Sequence, residues 1–459
     1  MVARGAQLDP HPKLAGRRVL VLGAARSGRA AALLLAEHGA EVLLADRDSG
    51  ALPGEARMRL GECGIRFALG REDLDLLSGC DLVVVSPGVP VDHPLVRAAE
   101  ASGIGVAGEL ELASSFARAP LVAVTGTDGK STTVTLLGAL LAAAGRRAPV
   151  AGNVGRPLAD AVDEAGPGDL LVIEVSSFQL ETVHTLKPQV AVLLNLAPDH
   201  LDRHHSLDVY RELKLKLFAR QRPEDDAVLP AGWGEVPGAG RRLAFGLDPE
   251  LVTLGATVVN GWLVRRSEAG EEQLLPAAEL GLPGPHNLEN ALAAVAALSR
   301  YAIPAPVLAE ALRRFRGLPH RLEEVAVVSG VAYVNDSKAT NVHALSSALR
   351  TFPRGIHLIA GGRDKASDFA ALAGLIAERV VRVYRIGEAR ERLHAAWPAV
   401  AGGDYPSLAA AVTDAAARAR AGEVVLLAPG CASFDMFRDF EDRGETFRRL
   451  VHALGKEAR

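Results

Sequence analysis

The run Val122-Ala-Val-Thr-Gly-Thr-Asp-Gly-Lys130-Ser131 carries residue types that can grip a triphosphate. An apolar stretch ends in a turn bracketed by Gly126 and Gly129, and Lys130 and Ser131 then open a helical pattern over 132–141. Glycine lets the backbone approach phosphate closely, free amides at a helix start point at the oxygens, and the helix dipole favours the anion. Lys130 would offset charge on the outer phosphate, and the Ser131 hydroxyl suits Mg²⁺. The spacing departs from the usual loop, because Val124 stands where a glycine is expected five residues before Gly129. Such a turn also arises by chance, so alone it leaves phosphate binding open.

Other candidates follow along the chain. Leu170-Leu-Val-Ile-Glu174 reads as a buried strand ending in a carboxylate. Beside a phosphate loop, such an acid suits a hydrated Mg²⁺, which prefers hard oxygen ligands. Asn195-Leu-Ala-Pro-Asp-His200-Leu-Asp-Arg-His-His205 also follows an apolar run. His200 and His204 have the spacing of a zinc pair on a helix, but no third ligand is suitably placed, and Pro198 with its crowded charges reads as a loop. His200 alone is expected to serve a metal or substrate, and His204 and His205 are expected to be solvated. Lys214 lies in the helical pattern 208–220, one turn after Tyr210, with Leu213 and Leu217 on the buried side. A protonated lysine is a poor neighbour for Mg²⁺, and a carbamate formed with CO₂ would remove the conflict. Periodicity alone makes Lys214 an ordinary surface lysine.

Gly23-Ala-Ala-Arg-Ser-Gly28 sits between a strand pattern (19–22) and a helical pattern (30–38), with Asp46 closing the next strand pattern. This is close to a dinucleotide-binding fingerprint, with Ala25 in place of the middle glycine. A Cβ there narrows the room for a pyrophosphate. A nicotinamide nucleotide, another nucleoside diphosphate and a merely structural turn all stay open, the second being favoured. Ser86-Pro-Gly88 ends a third strand pattern and would reach the same crevice.

Three blocks of elements must position these residues. From 18 to about 109, strand patterns (19–22, 42–45, 82–86) alternate with helical ones, which is the wiring of a parallel α/β sheet. A second block opens at Leu121, and its apolar runs 122–125, 170–175 and 190–194 suit central strands. Past Asp225, glycine-punctuated segments such as 251–258 and 262–265 predict an antiparallel β excursion before a helix over 287–300. A third block begins near Leu318, with strands expected at 331–335, 356–360, 382–386 and 424–428.

A chain of 459 residues is too long for one ordinary core. With 51 basic and 55 acidic side chains it has no basic block for nucleic acid, so an anionic ligand must be met by local sites. No apolar run approaches the roughly 18 residues of a membrane span. No hydrophobic signal region opens the sequence, and Cys63, Cys80 and Cys431 form neither a disulfide framework nor a paired metal motif. A reducing cytoplasm fits, with each thiol expected to be buried.

Together these residues resemble the Mur ligase family over almost the whole chain. Gly-Thr-Asp-Gly-Lys-Ser (126–131), Glu-Val-Ser-Ser-Phe-Gln (174–179), Asn-Leu-Ala-Pro-Asp-His-Leu-Asp-Arg-His (195–204) and His-Asn-Leu-Glu-Asn-Ala (286–291) are similar to superfamily motifs. Asn335-Asp-Ser-Lys-Ala-Thr-Asn341, Gly361-Gly-Arg-Asp-Lys-Ala-Ser-Asp-Phe369 and Pro429-Gly-Cys-Ala-Ser-Phe-Asp-Met-Phe437 resemble the members that add D-glutamate. Asp128 stands where asparagine is commoner, and Gly430 where alanine is frequent. Asp128 adds negative charge close to phosphate and is expected to turn away or pair with a cation.

The resemblance implies an α/β chain of three domains. A Rossmann-like domain (1–109) would bind the UDP substrate. A central P-loop ATPase-type domain (110–317), mainly parallel with an antiparallel excursion, would bind ATP. A Rossmann-like C-terminal domain (318–459) would bind the amino acid. The implied reaction joins D-glutamate to UDP-N-acetylmuramoyl-L-alanine through an acyl phosphate, with ATP and two Mg²⁺ ions. Arg26, Ser27, Asp46, Arg47, Ser86, Gly88 and Asn153 would hold the UDP substrate. Gly126, Thr127, Asp128, Gly129, Lys130, Ser131 and Thr132 would cradle ATP phosphates, Asn287 and Asn290 would face adenine, Arg321 the γ-phosphate and Asp336 the ribose. Ser131 and Glu174 would ligate one Mg²⁺, His200 and a carbamylated Lys214 the other. Lys338, Thr340, Lys365, Ser433, Phe434 and Phe440 would seat D-glutamate. A monomer acting on small molecules is expected, without nucleic acid or a membrane span. A folylpolyglutamate synthetase shares the ATP loop but has no need of the first crevice or of the 335–341 string. A nicotinamide dehydrogenase would rest on the first glycine turn alone.

Overall fold

Short runs of β-branched and leucine residues build three sheets, and their order decides where ligands can enter. The structure, a computed structural model, describes residues 10–457 except 154, 283, 365 and 366. The chain divides into two units, Met1–Phe315 and Arg316–Arg459. The first unit carries two of the sheets.

The first sheet has five parallel strands in the order Arg66–Leu69, Glu41–Asp46, Arg18–Leu22, Leu82–Val85, Gly105–Gly108. The strand order reverses beside Arg18–Leu22, so a crevice opens at the carboxyl ends of that strand and Leu82–Val85. The second sheet has nine strands, with Leu121–Thr125 between Val190–Leu193 and Leu171–Glu174. Their residues are buried on both faces, as parallel strands under helices must be.

The antiparallel excursion is shorter than the glycine punctuation predicts. Asp226–Pro230, Arg241–Gly246 and Gly255–Val259 continue the parallel order, and antiparallel pairing is confined to Trp262–Ser267 with its two neighbours Gly255–Val259 and Gly270–Pro276. Their connections are too brief to look like crossovers in sequence. The helix expected over 208–220 ends earlier, at Leu215, and tightens into a 3₁₀ turn, Lys216–Phe218, that buries Leu217 and Phe218 completely.

One continuous apolar cluster joins both sheets of the first unit, from Val21 and Leu44 to Ala123, Ile173 and Ala191. Each valine, leucine or isoleucine in it contributes about 1.5–3 kcal/mol on burial. Two buried carboxylates on the helix Glu109–Ser115 reinforce the junction. Glu111 accepts from the backbone amides of His184 (3.1 Å), Thr185 (2.7 Å) and Leu186 (3.3 Å) and from the Thr185 hydroxyl, while Glu109 Oε1 accepts from Ala159 N at 2.9 Å.

The second unit has its own six-stranded sheet, parallel except for the edge strand Glu323–Val328. Its apolar clusters lie on both sides of the central strands Val424–Leu427 and Ile356–Gly361. The expectation of three buried thiols is corrected. Cys431 is buried, Cys80 is half-buried, and Cys63 is exposed at the end of the helix Gly54–Glu62, where its face meets water.

Candidate active site

The crevice of the first sheet is a cavity of about 740 Å³. It gathers Arg26, Ser27, Asp46, Arg47, Ser86 and Gly88, and Asn153 joins them from the second sheet. Gly23 adopts φ +91°, and the helix Arg26–Glu37 begins without a side-chain cap, which leaves its first amides for an anion. Gly28 has to lack a side chain because a Cβ would run into the Gly23 carbonyl. Asp46 fixes the turn itself: Oδ2 accepts from Ala24 N (2.7 Å) and Oδ1 from Asp48 N (2.9 Å). Ser86 Oγ donates to Gly23 O at 2.9 Å and closes the other side. Glu72 and His93 also line the cavity, bonded to each other at 3.2 Å; no motif in the sequence marks them.

In the second sheet, the strand Leu121–Thr125 runs through Gly126–Gly129 into the helix Lys130–Ala143. That helix also starts without a side-chain cap, after Gly129 at φ +80°. Asn195, at the end of the neighbouring strand, holds the loop: its Oδ1 accepts from Thr127 N (3.1 Å) and Asp128 N (2.9 Å), and its Nδ2 donates to Asp128 O (3.2 Å). Asp128 itself is exposed. Ser131 is buried and Thr132 half-buried in the first turn. Asn287 and Asn290, both buried on the helix Pro285–Ala297, lie 3.4 Å apart through Asn290 Nδ2 and Asn287 Oδ1.

Two lysines meet at one acceptor. Lys130 Nζ donates to Gly126 O (2.9 Å) and Thr127 O (2.7 Å), and Lys214 Nζ donates to the same Gly126 O at 2.7 Å. Lys214 is not the surface lysine that periodicity alone suggests; it is buried, 1 % exposed. Burial, and then the Lys130 charge, push its amine down to about 7. Glu174 is buried nearby in the same unit. Its Oε1 accepts from Asn153 Nδ2 at 2.8 Å, and its Oε2 has no hydrogen-bond partner among the described residues. An orphaned buried carboxylate oxygen beside a phosphate loop fits a hard cation with the Ser131 hydroxyl as a second ligand.

His200 is exposed, in a left-handed conformation (φ +52°), with its ring 4.8 Å from that of Phe178. The expectation that His204 is solvated is wrong, although His205 is exposed. His204 is buried because both ring nitrogens find partners, Ser177 Oγ at 3.0 Å and Glu181 Oε1 at 3.5 Å. Desolvation holds its pKa below the usual histidine value. Its ring stacks on Tyr210, whose hydroxyl reaches Thr127 Oγ1 at 3.3 Å.

The remaining candidates belong to the second unit. Asp336 follows the strand Val331–Asn335; its buried carboxyl accepts from Leu322 N and is pushed up to about 7 by burial, against the lowering effect of Arg321. Lys338 Nζ sits 3.9 Å above the Phe440 ring, and Thr340 N donates to Lys338 O. Ser433 is buried, while Phe434 is 60 % exposed. Lys365 lies outside the described residues. Arg443, unmarked by any sequence signal used above, is fully buried and donates to Ser337 Oγ and O (2.9 Å each) and to Cys431 O (3.2 Å). It fastens the loop carrying Lys338 to the one carrying Ser433.

Comparison with known proteins finds relatives along almost the whole chain. Residues 17–108 match the family model of the Mur ligase MurD-like N-terminal domain, 124–298 that of the Mur ligase middle domain, and 320–431 that of the Mur ligase glutamate ligase domain. The chain is 45 % identical over 449 residues to a UDP-N-acetylmuramoylalanine–D-glutamate ligase of Pelotomaculum thermopropionicum, covering 96 % of this chain and 98 % of the relative. It is 43 % identical to the protein of that name from Salinibacter ruber, over 95 % and 98 %. Among solved structures, a UDP-N-acetylmuramate–alanine ligase from Thermotoga maritima is similar in fold (TM-score 0.57, 19 % identity, 96 % and 99 % covered). So is a pseudomurein peptide ligase type C from Methanothermus fervidus (TM-score 0.56, 18 % identity, 96 % and 100 % covered).

Proposed function

The chain belongs to the Mur ligase family, and on that premise we propose that it joins D-glutamate to UDP-N-acetylmuramoyl-L-alanine at the expense of ATP, in peptidoglycan precursor synthesis. One observation carries the reading on the structural side. Asn153 lines the nucleotide-sized crevice and also bonds Glu174, so the far end of a long nucleotide substrate would arrive beside the carboxylate suited to metal. A folylpolyglutamate synthetase would have no use for that crevice.

A carboxylate is a poor electrophile. In the proposed sequence the L-alanyl carboxylate oxygen attacks the ATP γ-phosphorus, the bond to the β-phosphate oxygen breaks, and ADP leaves an acyl phosphate. Lys130 and the helix amides of 130–132 offset charge on the moving phosphoryl group, with Arg321 assigned the same task. Mg²⁺ held by Ser131 and Glu174, with a second ion at His200 and Lys214, would shield the phosphates. The D-glutamate amine then attacks the acyl carbon and inorganic phosphate departs. His200 is assigned to orient the ammonium or accept its proton. Asn287 and Asn290 are assigned to adenine, Asp336 to the ribose, and Lys338, Thr340, Lys365, Ser433, Phe434 and Phe440 to D-glutamate. By this reading residues 1–109, 110–317 and 318–459 serve the nucleotide substrate, ATP and the amino acid, in a cytoplasmic monomer. No helix among the described residues is long and apolar enough to cross a membrane.

Lys214 supports the carbamate assignment. An amine pushed down to about 7 is roughly half neutral near neutral pH, and the neutral form is the one that adds CO₂ with loss of a proton. The product is an anion beside Lys130 in place of a second cation. The decisive assay is ADP release that depends jointly on UDP-N-acetylmuramoyl-L-alanine and D-glutamate; equal turnover without either substrate would end this reading. Within it, Lys365→Ala should raise KM for D-glutamate about tenfold or more, through loss of a charge-assisted pair with a carboxylate, and leave KM for ATP near the parent value.

A further inference from the structure

Arg203 makes more contacts than a surface ion pair requires. Its guanidinium grips Glu181 through two bonds, Nε to Oε1 (2.9 Å) and Nη2 to Oε2 (2.5 Å), and Nη2 also donates to Val89 O at 3.2 Å. The pair is only 19 % and 9 % exposed. The guanidinium lies 4.6 Å from the centre of the Phe178 ring, and that ring also meets the His200 imidazole at 4.8 Å and the His204 imidazole at 5.5 Å. Arg203 N donates to His200 O at 3.1 Å, closing the turn that follows the left-handed residue.

These contacts reach two places at once. Val89 follows Ser86-Pro-Gly88 and lines the nucleotide crevice. Phe178 is the second residue of the short helix Ser177–Leu180 beyond Glu174 and backs His200. A left-handed conformation is unfavourable for a non-glycine residue, so His200 keeps it only while its surroundings hold it. A buried ion pair adds little to stability compared with apolar residues of the same shape, which leaves geometry as the use of a planar fork that fixes a carboxylate, a carbonyl and a ring together.

We propose that Arg203 is a positioning residue that couples occupancy of the nucleotide crevice to the placement of His200. Filling the crevice orders the loop carrying Val89; the carbonyl of Val89 sets the guanidinium, and the guanidinium sets the Phe178 ring against which His200 rests. The proposal rests on the ligase reading, because it gives His200 its place beside the acyl phosphate.

The test uses UDP alone, a ligand long enough for the nucleotide end of the crevice only. Calorimetry first measures UDP binding to the parent and to Arg203→Met. The ring resonance of His200, identified by its loss in His200→Gln, is then followed during UDP titration. It should move in the parent and stay still in Arg203→Met, although UDP still binds. In turnover, Arg203→Met should lose about 10–100-fold in kcat, the scale of a small misplacement near reacting atoms, with KM for ATP within about twofold of the parent. Arg203→Lys, which keeps the charge without the fork, should recover little. Should Arg203→Met fail to fold, Phe178→Leu removes the ring and must give the same silent resonance. A His200 signal that moves equally in parent and variant, or not at all in the parent, overturns the coupling while the ligase reading stands. Failure of the parent to bind UDP overturns both.

Discussion

At the scale of single residues, Lys214 and Lys130 set the electrostatic character of the centre. Both donate to Gly126 O, and two ammonium groups at one carbonyl repel. The folded pKa of Lys214 lies near 7 against an unfolded value near 10.4. Below pH 7 the folded chain carries the whole penalty of a buried ammonium; as pH rises from about 7 towards 10 the folded state gives up its proton first, and the penalty fades. Lys214→Met should therefore melt above the parent at pH 6 in CO₂-free buffer, and the difference should shrink steadily by pH 9. The variant should also be inactive, whereas the parent in CO₂-free buffer should regain activity on adding bicarbonate. A melting difference independent of pH would show that the Lys214 charge does not burden the fold.

Among the elements, the phosphate loop shows what a sequence can and cannot display. Gly129 must be glycine for two reasons, φ +80° and a Cβ position already occupied by Asn290 Oδ1. Gly129→Ala should strain the loop by roughly 1–3 kcal/mol and raise KM for ATP about tenfold while leaving KM for the UDP substrate unchanged; an equal rise in both would place the damage elsewhere. The glycine turns, the strand-end Glu174 and the central strands were legible because apolar runs and turn residues obey local rules. Strands such as Gly105–Gly108, Val150–Gly152 and Gly402–Asp404 were not, since they are short edge or near-edge strands specified by their neighbours. Asn195, Arg203 and Arg443 were equally hidden as supports. Each acts on a segment remote in sequence: Asn195 on a loop about 67 residues away, Arg203 on one 114 residues away, Arg443 on one 106 away. His204 misled for the same reason, because its partner Ser177 lies 27 residues upstream and nothing in the local run predicts it.

At the scale of the whole molecule, a protonation in the first unit has a measurable thermal signature. Glu109 stands where the two sheets of that unit share a core, and its carboxyl is pushed up to about 7, chiefly by burial. Its Oε1 is satisfied by Ala159 N, whereas its Oε2 has no partner among the described residues. With an unfolded value near 4.3, both states are protonated below about pH 4 and there is little penalty; as pH rises, the unfolded chain ionises first, and above pH 7 the folded unit bears roughly 3–4 kcal/mol. Glu109→Gln keeps the acceptor for Ala159 N and cannot ionise. It should equal the parent below about pH 4 and melt several degrees above it at pH 8. The second unit has clusters and a buried acid of its own, Asp336, with the same sign of shift. Scanning calorimetry of Glu109→Gln at pH 8 should move the transition of the first unit and leave that of the second in place. Asp336→Asn should do the reverse. If Glu109→Gln gained nothing at pH 8, Glu109 would have to be stabilised as an anion, and the junction between the two sheets would tolerate a charge that its burial forbids.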